Sequence, residues 1–379
     1  MSPTATSPAA TTTPKNGAKD GRQPKTITIK ELHPTFGAEI LGVQWNEDDG
    51  SVSEEQLQEL RDAVHKYAFL LLRSTPLTDS THVSFSRLFA SSPLDDISRF
   101  LSQSPTDPFR AAGKHLRYYP HLELFDASNL TDDGTAILDP DKSERAMLMR
   151  ANKLFHSDLA YNPRRSSYSL LRAVELPPLE VRAEIGGDTE FADSRTAWDD
   201  LDEDMKKRLT EKDYTGVYNA AWSRKQGAPE WFRGLDVGKG PVARHKILQK
   251  HKESGRMNLC VGAYLWRLED KEGRVVEESE EMIRLLNEHV ARDKYVASVR
   301  WENPGDLVIW DNRAVLHRAG EFEGVGKYRR DIRRTTAFDT GPMAWGLNGV
   351  GAKLPTLGSI TKEKGLGSTE PGIGASYPK

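Results

Sequence analysis

The chain has 379 residues, 37% of them apolar and 29% charged, an ordinary globular balance that allows one large domain or several smaller ones. A formal net charge of -3 and a pI near 6.4 exclude a surface built to coat nucleic acid or an anionic membrane. A single cysteine, Cys260, cannot form an internal disulfide, so a reducing compartment and a cytoplasmic protein are expected.

In chain order, the first 27 residues are rich in Ser, Thr, Pro and Ala and are expected to be a disordered tail, without the apolar middle of a signal peptide. "TITIKELHPTFGAEILGVQW" alternates and carries Gly and Pro punctuation, which predicts strands and turns. "SEEQLQELRDAVHKY" opens on the Ser-x-x-Gln of a capping box. Its apolar Leu57, Leu60, Val64 and Tyr67 recur at helical spacing. The helix should pass into a buried strand, "AFLLLR", and then a second helix, "DSTHVSFSRLF". "NLCVGAYLW" predicts a core strand holding Cys260 as a packing residue. "SEEMIRLLNEHVARD" is an amphipathic helix feeding strands in "KYVASVRWENPGDLVIWDNRAVLHRAG", broken at Pro-Gly-Asp. The Gly- and Pro-rich residues 351–379 should form a flexible tail. No run approaches the roughly 18 apolar residues of a membrane helix, and no glycine-rich phosphate loop sits in a strand-to-helix context. Early helices and late strand pairs predict an α+β arrangement around a β-core, a single domain over 28–350.

The chemistry concentrates in "NKLFHSDLAYNPRR". On a strand, side chains repeat every second residue, so His156 and Asp158 would point to one spot. Among the other histidines, His65 and His289 fall in amphipathic helices, and His245 and His251 in a basic, solvated stretch. His317 differs, because it closes the buried run "DLVIWDNRAVLHRAG". Two histidines and one carboxylate form a facial triad that suits Fe(II) and leaves three coordination positions open.

A second signal follows in "KYRRDIRRTTAFD". As a strand it would place Arg330, Ile332, Arg334, Thr336 and Phe338 on one face, with Arg329, Asp331, Arg333 and Thr335 on a polar face suited to solvent. Two inward arginines, about 13 Å apart along the strand, call for anions. The competing reading is a basic patch for phosphate or nucleic acid, and the inward–outward split favours a cavity.

With these motifs in place, the chain resembles the taurine dioxygenase and 2,4-dichlorophenoxyacetate dioxygenase family of Fe(II)- and 2-oxoglutarate-dependent oxygenases, and within it fungal members. The likeness runs through "FGAEILGVQW", "YPHLELFDASN", "FHSDLAY", "GGDTEFADSRTAWDDL", "GDLVIWDNRAVLHR" and "YRRDIRRTT". It implies a double-stranded β-helix (jelly roll) core with flanking helices. It implies His156, Asp158 and His317 as catalytic iron ligands, with 2-oxoglutarate and O2 as co-substrates. By the same resemblance Arg330 pairs with the far carboxylate of 2-oxoglutarate, assisted by the Thr189 hydroxyl. Arg334 reaches the acidic group of the prime substrate or supports the co-substrate, and Asn152 lines the substrate cavity. Phe155 stands where the family often has tryptophan, and the substrate stays open among amino acids, sulfonates and aryloxyalkanoates. The resemblance also allows a homo-oligomer.

In "TAFDTGPMAWGLNG" the glycines rule out a regular helix, so Met343 and Trp345 either wall the substrate's non-acidic end or pack outside the core. Three rival activities are weighed on the same residues. Desaturation or oxidative cyclisation would use the same site. A zinc hydrolase would lack an assigned base and leave the arginines without a role. A non-catalytic jelly-roll binding protein would need a missing ligand, and none is missing.

Overall fold

The computed structural model of the chain describes residues 26–96, 117–118 and 120–353. The tails expected at 1–27 and 351–379 lie outside the described residues, apart from residues 26–27 and 351–353. Ile27 is buried, and its amide donates to the Glu59 carboxylate.

Strands β1 (Thr28–Glu31), β2 (Ala38–Leu41), β3 (Phe69–Leu72), β4 (Phe125–Asp126), β5 (Ser166–Glu175) and β6 (Thr189–Asp193) come first. They are followed by β7 (Thr215–Asn219), β8 (Val242–Lys246), β9 (Leu248–Lys250), β10 (Met257–Leu259) and β11 (Leu265–Glu269). The last are β12 (Val296–Val299), β13 (Leu307–Asp311), β14 (Val315–Ala319) and β15 (Asp331–Phe338). A seven-stranded sheet runs β1-β2-β3-β13-β5-β15-β4, and a three-stranded sheet runs β12-β6-β14. A second three-stranded sheet, β11-β7-β8, and the hairpin β9-β10 complete the strands.

The seven-stranded sheet and β12-β6-β14 share one apolar layer, built from Phe69, Leu71, Val308, Trp310 and Ile332 on one side and Phe191, Val299 and Val315 on the other. Phe69 and Phe191 stack across it with ring centroids 4.5 Å apart. Phe191, Trp310 and Val308 are fully buried, and each large apolar side chain removed from water contributes roughly 1.5–3 kcal/mol. The mixed helix and strand composition is as expected. No strand pairing among the described residues closes the facing sheets into a barrel.

Helix α1 (Glu54–Tyr67) and helix α2 (Asp79–Ala90) cover the outer face of the large sheet. In α1 the Ser53 hydroxyl accepts from the Gln56 amide N–H, and Leu57, Leu60, Val64 and Tyr67 are buried as the spacing predicts. Only half of the capping box forms. The Gln56 side chain instead bonds the loop after β2, accepting from Gln44 N and donating to Gly42 O. Helix α3 (Ser279–Val290) packs its apolar face against the core beside β11.

Two expectations fail here. The second face of β15 is not solvated: Asp331 is 3% exposed and Thr335 fully buried. Helix α2 lies over this face, so its charges are matched internally. Asp331 accepts from Arg117 and Arg333, Arg333 also reaches Asp79, and Thr335 bonds Ser86 of α2. Likewise His245 and His251 are buried, not solvated, because each has a partner inside. His245 Nε2 bonds Asn162 O at 2.9 Å, and His251 Nε2 bonds Asp311 Oδ2 at 3.0 Å.

Candidate metal centre and its cavity

His317 sits mid-strand in β14 and His156 beside it, and their backbones exchange two hydrogen bonds of 3.0 and 2.9 Å. That single bridge is all the strand character His156 has. The expected strand through His156 and Asp158 is absent; the chain leaves a short 3-10 turn at Arg150–Lys153, touches β14 once, and turns at Asp158. Leu159 takes a positive φ of 55° in that turn. Gly262 permits the approach from behind: its φ is +109°, and a Cβ there would lie 2.8 Å from the Phe155 carbonyl oxygen.

The two ligand candidates still converge, and His317 completes them. One ligand atom from each of His156, Asp158 and His317 lies within 4.8 Å of the others, and all three residues are buried. Asp158 Oδ1 is 3.7 Å from His317 Nε2 and 4.0 Å from His156 Nε2. The His156 Nδ1 hydrogen bond to Leu154 O, at 2.7 Å, makes Nδ1 the protonated nitrogen and leaves Nε2 a bare lone pair. Burial lowers the pKa of His156 and takes His317 well below the ordinary imidazole value, against the pull of Asp158, so both rings are neutral. Burial works to raise the Asp158 carboxyl. The Arg334 guanidinium and the Ser169 hydroxyl outweigh it and hold the group below the usual carboxylate range. Two neutral imidazoles and one carboxylate on one spot fit a divalent first-row metal ion.

Beside this triad is a cavity of about 700 Å³, lined by His156 and His317, by Asn152, Thr189, Arg330 and Arg334, and by apolar walls including Phe125, Leu171 and Phe322. The expected polar contacts therefore share one space. Arg330 precedes β15, donates from Nη2 to Gly187 O at 2.8 Å, and has no carboxylate partner among the described residues. Desolvation pulls its pKa down to about 10, opposed only by Asp188. Thr189 Oγ1 accepts from Trp301 Nε1 at 3.2 Å, which leaves its own proton free to donate. Arg334 reaches the triad itself: its Nη1 lies 2.6 Å from Asp158 Oδ1, while its buried Nε has no partner.

Met343 and Trp345 do not line this cavity. Their segment packs against residues 163–165 and 244 instead, where Leu347 N donates to Arg244 O and the Trp345 ring lies under the Arg164 guanidinium. The core strand expected through Cys260 is broken: β10 ends at Leu259 and β11 begins at Leu265, so Cys260 lies half-buried in the loop between them, where desolvation pushes its thiol up to about 11. Ser169, Trp310 and Asn312 were not singled out by sequence, yet they surround Asp158. The only trace of them is a polar Asn directly after a buried strand.

The open sheet pair, the two-histidine, one-carboxylate centre and a desolvated guanidinium without a carboxylate partner among the described residues point to a mononuclear metal enzyme that takes a small anion. The model of the taurine catabolism dioxygenase TauD, TfdA family matches residues 28–336, and the chain belongs to that family. It is 32% identical over 315 residues, 82% of this chain and 94% of the relative, to an alpha-ketoglutarate-dependent 2,4-dichlorophenoxyacetate dioxygenase of Burkholderia sp. (strain RASC). It is 27% identical, over 79% of this chain and 91% of the relative, to an (S)-phenoxypropionate/alpha-ketoglutarate-dioxygenase of Sphingobium herbicidovorans. Among solved structures, AAD-2 in complex with Mn(II) and N-oxalylglycine superposes with a TM-score of 0.65 at 26% identity, covering 84% of this chain and 98% of that one. The chain is accordingly an Fe(II)- and 2-oxoglutarate-dependent dioxygenase, with O2 as the oxidant.

Proposed function

We propose that the enzyme couples oxidative decarboxylation of 2-oxoglutarate, to succinate and carbon dioxide, to oxidation of a C–H bond in a small anionic organic substrate such as an aryloxyalkanoate, a sulfonate or an amino acid. Residues 28–350 would form the catalytic domain, the facing sheets being the two halves of a jelly roll, and the enzyme would work in the cytosol. His156 and His317 through Nε2, and Asp158 through Oδ1, would hold the Fe(II). With O2 and 2-oxoglutarate bound there, the iron supplies the oxidising chemistry.

The chain's own residues bind and orient. Arg330 supplies the cation for the far carboxylate of 2-oxoglutarate, and the free proton of Thr189 adds a second donor beside it. Arg334 supplies the cation for the substrate's acidic group. Asp158 Oδ1, now 2.6 Å from Arg334 Nη1, would be the oxygen offered to the metal, and Arg334 would then turn to the cavity. Asn152 and the apolar walls shape the space for the organic body.

The observation that carries this reading is Arg330, a desolvated guanidinium without a carboxylate partner among the described residues, in the same cavity as a metal triad. The test is succinate release from purified protein with Fe(II), 2-oxoglutarate and a panel of carboxylates, sulfonates and sulfate esters. Substrate-dependent succinate is expected with at least one anionic class. Failure to bind 2-oxoglutarate in the metal-loaded, oxygen-free protein would overturn the reading.

A further inference from the structure

The Asp158 carboxylate is held at both oxygens by different groups. Oδ1 faces the two histidines. Oδ2 accepts a 2.7 Å hydrogen bond from the Ser169 hydroxyl. Ser169 Oγ in turn accepts from Asn312 Nδ2 at 2.9 Å. The other end of that amide, Asn312 Oδ1, accepts from the backbone N–H of Asp158 and from Trp310 Nε1, both at 3.0 Å. The Ser157 hydroxyl closes the clamp by donating to Asn312 O at 2.9 Å.

The direction of this relay is fixed by its donors. Two N–H groups point at Asn312 Oδ1, so the amide has one orientation, with Nδ2 towards Ser169. Because Ser169 Oγ already accepts from Asn312, its proton goes to an acceptor. The anionic Asp158 Oδ2 at 2.7 Å outcompetes the Thr336 hydroxyl at 3.3 Å. Ser169 is fully buried and Asn312 is 6% exposed, so bulk water does not replace either bond.

We infer that Asn312 and Ser169 are positioning residues that reserve Oδ2 and present Asp158 to the metal through Oδ1 alone. Two imidazoles and a carboxylate bound through one oxygen fill three positions of an octahedral ion and leave three. A carboxylate free to rotate can bind through both oxygens and leave two. A keto acid that chelates through two atoms, with dioxygen beside it, needs three. Asn312 also joins the two ligand segments, since it lies in the turn between β13 and β14 while gripping residues 157 and 158. This inference rests on the 2-oxoglutarate reading given above.

The deciding experiment loads wild type and Ser169→Ala with Mn(II), follows metal affinity by electron paramagnetic resonance, and measures 2-oxoglutarate affinity by calorimetry. The visible absorption of the Fe(II)–2-oxoglutarate complex is recorded without oxygen. Ser169→Ala is expected to bind Mn(II) as tightly as wild type or more tightly. Its affinity for 2-oxoglutarate should fall by about tenfold or more, the scale of other outer-sphere metal contacts, and its absorption band should shift. N312D is expected to act alike, because its new carboxylate keeps the acceptor contacts but draws the Ser169 proton away from Asp158. If Ser169→Ala does not fold, N312D decides by the same criteria. Unchanged 2-oxoglutarate affinity and absorption in the variant would overturn the inference, and so would collapse of metal binding, which would make the hydroxyl a mere prop. Wild type that binds metal but no 2-oxoglutarate would instead overturn the functional reading.

Discussion

Arg330 and Arg334 were legible as a pair of inward cations, but their partners were not, because partners come from other strands. Arg330 stands beside Gly187 and Phe322 with no carboxylate partner among the described residues, whereas Arg334 sits on Asp158. The two should therefore respond differently to replacement. Arg330→Met should raise the melting temperature of the protein without co-substrate, because a desolvated, unpaired charge is removed. It should weaken 2-oxoglutarate binding by about 3–5 kcal/mol, read by calorimetry on the metal-loaded form. Arg334→Ala should bind Mn(II) at least as well as wild type, since the competitor for Asp158 Oδ1 is gone, and should lose substrate-dependent succinate. His156→Ala, Asp158→Ala and His317→Ala should each lose more than about a hundredfold in metal affinity, beyond the typical cost of an outer contact, with the circular dichroism spectrum kept. A triad variant that still produces succinate at near wild-type rate would show the assignment to be wrong.

Strand β15 shows why one face of an element can be read and the other misread. Its alternation was visible, and Ile332 and Phe338 are buried as expected. Its polar face looked solvent-facing because sequence does not announce that α2 will cover it. The fully polar set Arg329, Asp331, Arg333 and Thr335 is compatible with water or with a matched charge network, and only packing decides. Asp331→Ala should expose the difference. It leaves Arg117 and Arg333 short of a buried partner and should cost about 3–5 kcal/mol in denaturant unfolding without changing Mn(II) affinity. A loss below about 1 kcal/mol, the value of an exposed pair, would mean the face is effectively solvated after all. The His-x-Asp spacing was likewise correct for a reason other than the one expected: a turn, not a strand, aims both side chains at β14.

At the scale of the whole molecule, the mixed helix and strand class and the ligand set were legible, because periodicity, caps and short motifs are local. The wall of the cavity was not. Met343 and Trp345 are large and apolar, and sequence carries no sign of which side of the core a Gly-rich segment will cover. Met343→Ala and Trp345→Ala should leave the substrate range unchanged in a succinate assay. The buried histidines set a molecule-wide pH response. His82, desolvated and facing Arg172, is pushed down to about 3, and desolvation takes His245 down to about 4. Both stay neutral in the fold while the unfolded chain takes up protons below its ordinary imidazole pKa of about 6.5. Stability from these groups is thus present above about pH 6.5 and is lost as pH falls, by up to roughly 1.4 kcal/mol per unit for each group. The melting temperature should drop between pH 7 and pH 5, and His245→Gln should make that drop shallower. Equal slopes for the variant and wild type would remove His245 from this account.

The backbone bridge between His156 and His317 joins positions 161 apart in the chain (317 − 156). Such a contact closes late, since the long intervening loop must be ordered before the pairing returns any free energy. A metal ion therefore has no preformed seat on the nascent polypeptide and cannot template its collapse. It meets a finished protein, and can be stripped and replaced without unfolding it. Recovery of metal binding after dilution from denaturant should then lag behind recovery of helical circular dichroism, and chelator added during refolding should leave the folding rate untouched.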